Sequence, residues 1–270
     1  MKKNLFIGGA LAASLLAGSA FAASVEYKDP TGDDFAGGTV KYPTDPVYKP
    51  GSFDLTSLKI NQDGDKVTFE IGLNSTLEDP WKMGPGFSVQ MAFIFLDTDG
   101  KPDNGHTEGV PGLNIKFGDK DAWDKVVIIS PQGVSRVKSE VASKAAKIAS
   151  DVVVPTRVKG AGRTLSATVP LKELGGNSDP SKWGVQVVIQ SNEGFPASTD
   201  LLTRKVNEYE GQHRFGGGTD TDCDPHAVDI LAGKGTGDKS EVEEQKKQLA
   251  YECNADGTAK KMATLKMVRK

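Results

Sequence analysis

Carboxylates crowd three short stretches of this chain, and each stretch has the makings of a cation site. The first is Asp29-Pro-Thr-Gly-Asp-Asp34, which offers Asp29, Asp33 and Asp34 on a turning backbone. Calcium takes six to eight oxygen ligands from flexible loops, so short runs of Asp with Gly suit it. The second runs from Asp97 to Glu108 and opens with Asp97 and Asp99. Its acids sit at positions one, three, seven and twelve of an EF-hand, but Pro102 stands where that loop needs glycine and Lys101 where it needs a ligand. The third is Asp220-Thr-Asp-Cys-Asp-Pro-His-Ala-Val-Asp229, led by Phe215-Gly-Gly-Gly218 and offering Asp220, Asp222 and Asp224. Acids so close need a counter-charge, either a cation or an arginine such as Arg204 or Arg214. The competing reading is a solvated turn in which Asp bonds its own backbone. Calcium is the cofactor these stretches lead us to expect.

Catalytic patterns are scarce. His106, His213 and His226 are the only histidines, and neither Gly-x-Ser-x-Gly nor His-Glu-x-x-His accompanies them. Cys223 has no further Cys/His ligands at zinc spacing. A carboxylate pair for glycoside hydrolysis stays open, because any two loop acids could face each other across a groove. Aromatic residues are better placed for chemistry of another kind. Tyr42, Tyr48, Trp81, Phe87, Trp123, Trp183 and Phe195 lie in or beside loops. Sugar faces stack on such rings while nearby Asp, Asn and Gln bond the hydroxyls. The alternative seats Trp81 and Trp183 in the core as plugs.

Composition narrows the classes further. The 270 residues carry 33 basic and 36 acidic side chains, a net charge of −3. That balance gives no reason to expect nucleic acid or an anionic membrane as partner. Lys2 and Lys3, the apolar run Leu5 to Leu16 and Ala20-Phe21-Ala22 read as an export signal over residues 1–22, cleaved near Ala22. The run is too short for a transmembrane anchor, so a periplasmic or secreted chain is expected. Cys223 and Cys253 are the only cysteines, and in an oxidising compartment such a pair closes into a disulfide.

The elements that must position these residues read as strands. Short apolar runs between Gly and Pro signals predict strands over 55–61, 66–73, 87–96, 125–130, 165–170 and 183–191. Val67 to Leu73 alternates apolar and polar, as a half-buried strand does, whereas Met91 to Leu96 is apolar on both faces and reads as central. Asp63-Gly64 marks a hairpin turn. Helical spacing appears over 135–149, and Ser240 with Glu243 opens a charged helix over 240–252. Residues 23–270 show no repeat or composition break and read as one domain. The stretch from Tyr42 to Leu55 holds Pro43, Pro46 and Pro50, which exclude a helix or central strand and leave a rigid surface arm.

Three motifs carry a family resemblance: Tyr42-Pro-Thr-Asp-Pro-Val-Tyr-Lys-Pro-Gly-Ser-Phe-Asp-Leu55, Asp79-Pro-Trp-Lys-Met-Gly-Pro-Gly-Phe-Ser-Val-Gln90 and Phe215 to Leu231. In this order they resemble the carboxy-terminal binding module of glucodextranase and related amylopullulanases, itself similar to DOMON and family-9-type carbohydrate-binding domains. The resemblance covers nearly all of residues 23–270. It implies an all-β, immunoglobulin- or jelly-roll-like sandwich with one or two short helices, non-catalytic, holding polysaccharide or cell-envelope glycan. It also brings in Ser191-Asn-Glu-Gly194. The expected ligand contacts are therefore Tyr42, Tyr48, Trp81, Phe87, Asn192 and Glu193. Two other functions remain open at this point. A haem-binding DOMON-like protein would use His106 with Met83 or Met91 as axial pair, and a glycan-active enzyme would use loop carboxylates.

Overall fold

The computed structural model describes residues 23–36, 38–177, 179–219, 223–234 and 240–270. Strand β1 (Ala23–Lys28) opens the chain's first sheet, and after the arm β2 (Leu55–Asp63) and β3 (Lys66–Leu73) follow as a hairpin whose Gly64 takes φ +56°. Next come β4 (Gln90–Asp97), β5 (Ile115–Phe117) and β6 (Lys125–Ile129), then helix α1 (Val134–Lys144). Strands β7 (Val152–Val153), β8 (Val158–Ala161) and β9 (Thr164–Pro170) lead to the one-turn helix α2 (Leu171–Leu174) and to β10 (Gly184–Ser191). The chain closes with β11 (Asp229–Ile230), helix α3 (Glu241–Gln248), β12 (Glu252–Cys253), β13 (Ala259–Lys261) and β14 (Ala263–Leu265).

Two five-stranded sheets form the body, ordered β1-β2-β3-β9-β8 and β11-β10-β4-β6-β7. Their facing surfaces share one apolar core, with Leu58, Phe69 and Leu165 from the first sheet against Ile94, Val127 and Val187 from the second. This is the all-β sandwich that the family resemblance implies, built from the strands that the apolar runs predict. In the first sheet β3 alternates buried and half-exposed residues, so its outer face is wet. In the second, all eight residues of β4 and of β10 are buried. The outer face of that sheet, with Met91, Phe93, Phe95 and Ile128, is covered by a second core that includes Val137 and Val141 of α1, Leu113, Ile115 and Leu265. Every such fully buried apolar side chain contributes roughly 1.5–3 kcal/mol.

Both helices are shorter than their sequence patterns. Helix α1 stops at Lys144, whose Nζ donates to Ala197 O and Asp200 O, and the chain tightens into a 3-10 turn over Ala146–Asp151 to enter β7 beside β6. Helix α3 is capped as expected, Glu243 N donating to Ser240 Oγ at 3.3 Å. It ends at Gln248 because Glu252 and Cys253 pair with β13 and Cys253 is bonded to Cys223, their Cα atoms 5.8 Å apart.

Candidate functional site

The arm from Tyr42 to Leu55 lies against the body through its rings. Tyr42 packs edge-on to Phe53 and Phe215 at 5.3 and 5.8 Å between centroids, and Tyr48 stacks on Phe53 at 6.2 Å. Tyr42 Oη donates to Asp34 and accepts from Phe53 N, and burial followed by the Asp34 charge raises its pKa. Backbone bonds fasten the arm to the 211–217 loop: Lys41 N to Gly216 O at 2.9 Å and Thr44 N to Gly211 O at 2.9 Å. Gly217 makes that approach possible, since a Cβ there would stand 1.7 Å from Thr39 O.

Of the expected ligand contacts, Phe87 is fully buried in the inter-sheet core and Tyr48 is nearly so. Their rings face protein rather than solvent, which differs from the expected platform role. The reason is positional: Phe87 lies two residues before Val89 on the approach to β4, where the chain has already entered the sandwich. Tyr42 is half-buried in the same aromatic cluster. Trp81 differs, with 37% of its surface in solvent. It stands edge-on to Tyr48 at 6.3 Å and to His213 at 6.0 Å.

The loop bearing Trp81 is shaped by Asp79, whose carboxylate accepts from Met83 N and Gly84 N, both at 2.7 Å, and from Ser88 Oγ. Ser88 in turn accepts from Trp81 N at 3.2 Å, and its carbonyl takes Asn192 Nδ2 at 3.2 Å. Asn192 is thereby drawn to the same end of the sandwich, where Ser191 pairs with Gln90. Arg204 completes the group: it pairs with Glu193 at 2.7 Å, donates to Asn192 O at 2.9 Å and to Ser191 Oγ at 3.3 Å, and lies 5.9 Å from the Tyr48 ring centroid. Tyr48, Trp81, Asn192 and Glu193 are therefore neighbours, joined by His213 and Arg204, which the sequence reading did not assign to ligand. The Phe195 ring, almost wholly in solvent, stands on the next loop.

The acids sort themselves by their partners. Asp29 and Asp33 converge with Asp229, one carboxylate oxygen of each lying within 4.8 Å of the others. All three are buried, Asp229 completely. Asp54 and Glu241 border them. Asp54 holds Gly32 N at 2.7 Å and Asn74 Nδ2 at 3.0 Å, Glu241 holds Ala232 N at 2.7 Å, and Asp229 holds Leu55 N and Ile230 N at 2.7 and 2.8 Å. Among the described residues both carboxylate oxygens of Asp29 and of Asp33 find no donor, nor does one oxygen each of Asp54 and Glu241. Among the described residues no Lys or Arg pairs with any of the five.

The electrostatics follow. Burial, then repulsion from Asp229, pushes Asp29 up to about 11, and burial pushes Asp33 to about 6 and Glu241 to about 7. Asp229 and Asp54 are raised for the same first reason. The amino end of α3 faces the cluster through Glu241, yet a helix dipole contributes only about 0.3–1 kcal/mol to an anion. Desolvating each ion costs several kcal/mol, so the dipole does not offset it.

Asp34, the third acid of that stretch, is drawn off by Tyr42. Asp97, Asp99 and Asp124 also converge, Asp124 being an acid the sequence reading did not include. Here the oxygens are engaged. Asp124 accepts from Thr98 N at 2.8 Å and Asp99 N at 3.2 Å, Asp97 takes Gly100 N at 2.9 Å and pairs with Arg269, and Asp99 takes Lys101 N at 2.8 Å. In the third stretch, Asp224 accepts from Thr219 N and Oγ1, both at 2.9 Å. Asp220, Asp222 and the signal-like residues 1–22 lie outside the described residues.

His106 Nε2 meets Asp151 at 2.9 Å, its ring 4.5 Å from Trp123, beyond the Leu96 end of β4. Met91 is buried near the opposite end of that strand, five residues and roughly 16 Å away at 3.3 Å per residue. Met83 sits on the Trp81 loop at that same far end.

A two-sheet sandwich with a rigid aromatic arm and a loop-built polar and aromatic end defines a β-sandwich binding module. The chain belongs to the glucodextranase carboxy-terminal binding-module family, described as SLH-like, whose model matches residues 25–268. No curated protein matches it. Among the described residues no helix is long and apolar enough to cross a membrane.

Proposed function

We propose that this chain is an exported, non-catalytic, cation-stabilised module that holds a polysaccharide or cell-envelope glycan. The observation that carries the reading is the Trp81 end of the sandwich. There one partly exposed indole is propped by Tyr48 and His213, with Arg204, Glu193 and Asn192 alongside. A sugar ring stacking on Trp81 would find the part-exposed Glu193 carboxylate and His213 imidazole beside it, held in place by the buried Asn192 amide and Arg204 guanidinium, which are bonded to protein. The non-catalytic part is supported by the acids. Among the described residues the two convergent acid clusters offer no open pair of the kind glycoside hydrolysis uses: the acids of the first are buried, and those of the second are tied to backbone N–H groups or Arg269.

The test is retention of the purified chain on insoluble α-glucan and on isolated envelope polysaccharide, with Trp81→Ala alongside. Binding that drops at least tenfold in Trp81→Ala, with the melting temperature unchanged, is expected. Equal retention by both proteins, or release of reducing sugar by the parent, would sink the reading.

A further inference from the structure

The carboxylates of Asp29 and Asp33 are buried, close together and, among the described residues, without donors. Other acids of the fold resolve the same problem locally, by backbone N–H groups at Asp124 and by arginine at Asp97. We propose that Asp29, Asp33 and Asp229 bind one buried cation of calcium's class, bordered by Asp54 and Glu241, and that this cation clamps helix α3 and the segment after β1 onto the sandwich. This deepens the cation part of the function proposed above and is independent of the glycan part.

Two features of the geometry carry it. Oxygens bonded to one calcium at about 2.3–2.6 Å stand at most about 5 Å apart, and the three carboxylates converge within 4.8 Å. The orphan oxygens number two on Asp29, two on Asp33, one on Asp54 and one on Glu241, a supply of the size that a cation taking six to eight oxygens needs. Magnesium keeps much of its water shell, and a site so closed by protein favours the larger ion.

The residues come from four separated parts of the chain, and their other bonds converge on the same spot. Asp33 O accepts from Gln245 Nε2 of α3 at 2.6 Å, Ile230 N of β11 donates to Gln245 Oε1 at 3.1 Å, and Ala36 N reaches Val228 O at 3.0 Å. Backbone N–H groups hold one oxygen of Asp54 and one of Glu241 and leave the other free, the arrangement that orients metal-ligating carboxylates.

The test is calorimetric titration of the metal-stripped chain with calcium chloride and, separately, magnesium chloride, together with melting in calcium and in chelator. One calcium per chain is expected, bound at least tenfold more tightly than magnesium. At calcium a hundredfold above Kd the melting temperature should rise by roughly 5–10 °C. Asp229→Asn and Asp29→Asn should each lose calcium binding. In chelator Asp29→Asn should melt no lower than the parent, because it removes a repelling charge from a side chain that accepts no backbone N–H, whereas Asp229→Asn also gives up a bond from Leu55 N or Ile230 N and should melt lower. Variants that lose stability equally in calcium and chelator would show a purely structural role and overturn the proposal. So would absence of calcium heat with unchanged melting, the mark of a proton-sharing cluster, or loss of calcium in Asp97→Asn but not Asp229→Asn. None of these readouts uses glycan, so a failure of retention on polysaccharide is a separate result.

Discussion

Removing the Cys223–Cys253 bond, as the double variant Cys223→Ser, Cys253→Ser, should lower stability by an amount set by the loop it closes. The two cysteines are 30 residues apart. Chain-entropy reasoning for a loop of that size gives about 12 cal/mol/K, or about 3.6 kcal/mol at 25 °C. The folded state loses little, because the segment is fastened independently. Gln245 bonds Asp33 and Ile230, Gln248 donates to Ala232 O at 3.1 Å and accepts from Lys266 N at 3.0 Å, and Lys266 pairs with Glu244 at 2.6 Å. The effect should therefore fall on the unfolded chain. Urea denaturation in excess calcium is the assay, and the double variant should show a lower midpoint together with a larger m-value, since an unlinked chain exposes more surface. A loss under about 1 kcal/mol with an unchanged m-value would refute the reasoning. It would mean that the unfolded chain is held compact by something other than the bond.

Three further outcomes follow from the same structure. Gly217→Ala should cost more than about 2 kcal/mol and expose the arm to protease, because φ is +89° and the added Cβ would lie 1.7 Å from Thr39 O; an intact, resistant arm would disprove the close approach. Phe87→Ala should cost about 3–5 kcal/mol in denaturant whereas Trp81→Ala should cost far less, separating a core ring from a surface one; equal costs would argue against the placement of both. In chelator, stability should fall as pH rises from about 4 toward 7, since carboxyls that ionise near 4 when unfolded are raised by burial to about 6 at Asp33 and about 7 at Glu241, so the folded chain holds more protons in that window. Thermal scans showing stability that climbs over the same range would contradict it.

The sandwich was legible because its strands announce themselves in two ways. Alternation over Val67 to Leu73 matches a sheet with one wet face, and the unbroken apolar run Met91 to Leu96 matches a strand buried on both faces. The short strands escaped for equally physical reasons. Strands β7 and β11 have two residues each, and β8 contains Gly160, which packs against Gly86 and carries no apolar signal. The site was half legible. Asp29 and Asp33 stood out as neighbours in sequence, but Asp229 was read only as the tail of a different run and Glu241 only as part of a charged helix. Nothing local says that β11 passes beside the end of β1 and that α3 folds back over both. His213 was likewise hidden, and Arg204, readable as a counter-charge for the Asp220 stretch, pairs instead with Glu193, because both act through contacts across a loop. Trp81, by contrast, was fairly read as either plug or platform, and its partial exposure decides only that a face is available.

The arm from Tyr42 to Leu55 ties the two proposed sites to one another. Its entrance is held by the Tyr42 hydroxyl on Asp34, next in sequence to the proposed ligand Asp33, and its exit by Asp54, which borders the proposed cation site and grips Gly32. Between these points Tyr48 supports the Trp81 indole and lies near Arg204. A cation that fixes Asp33 and Asp54 would therefore fix both feet of the segment that props the sugar platform, while three prolines keep the span between them stiff. Rings that stack on a flexible glycan lose affinity when they must first be ordered. Calcium removal should accordingly weaken glycan retention severalfold without touching any glycan contact, and Asp29→Asn, whose carboxylate holds no part of the arm, should reproduce the loss in the presence of calcium. Retention on polysaccharide that is indifferent to both changes, measured on a chain shown to bind calcium, would separate the two sites and leave the arm as a structural strap alone.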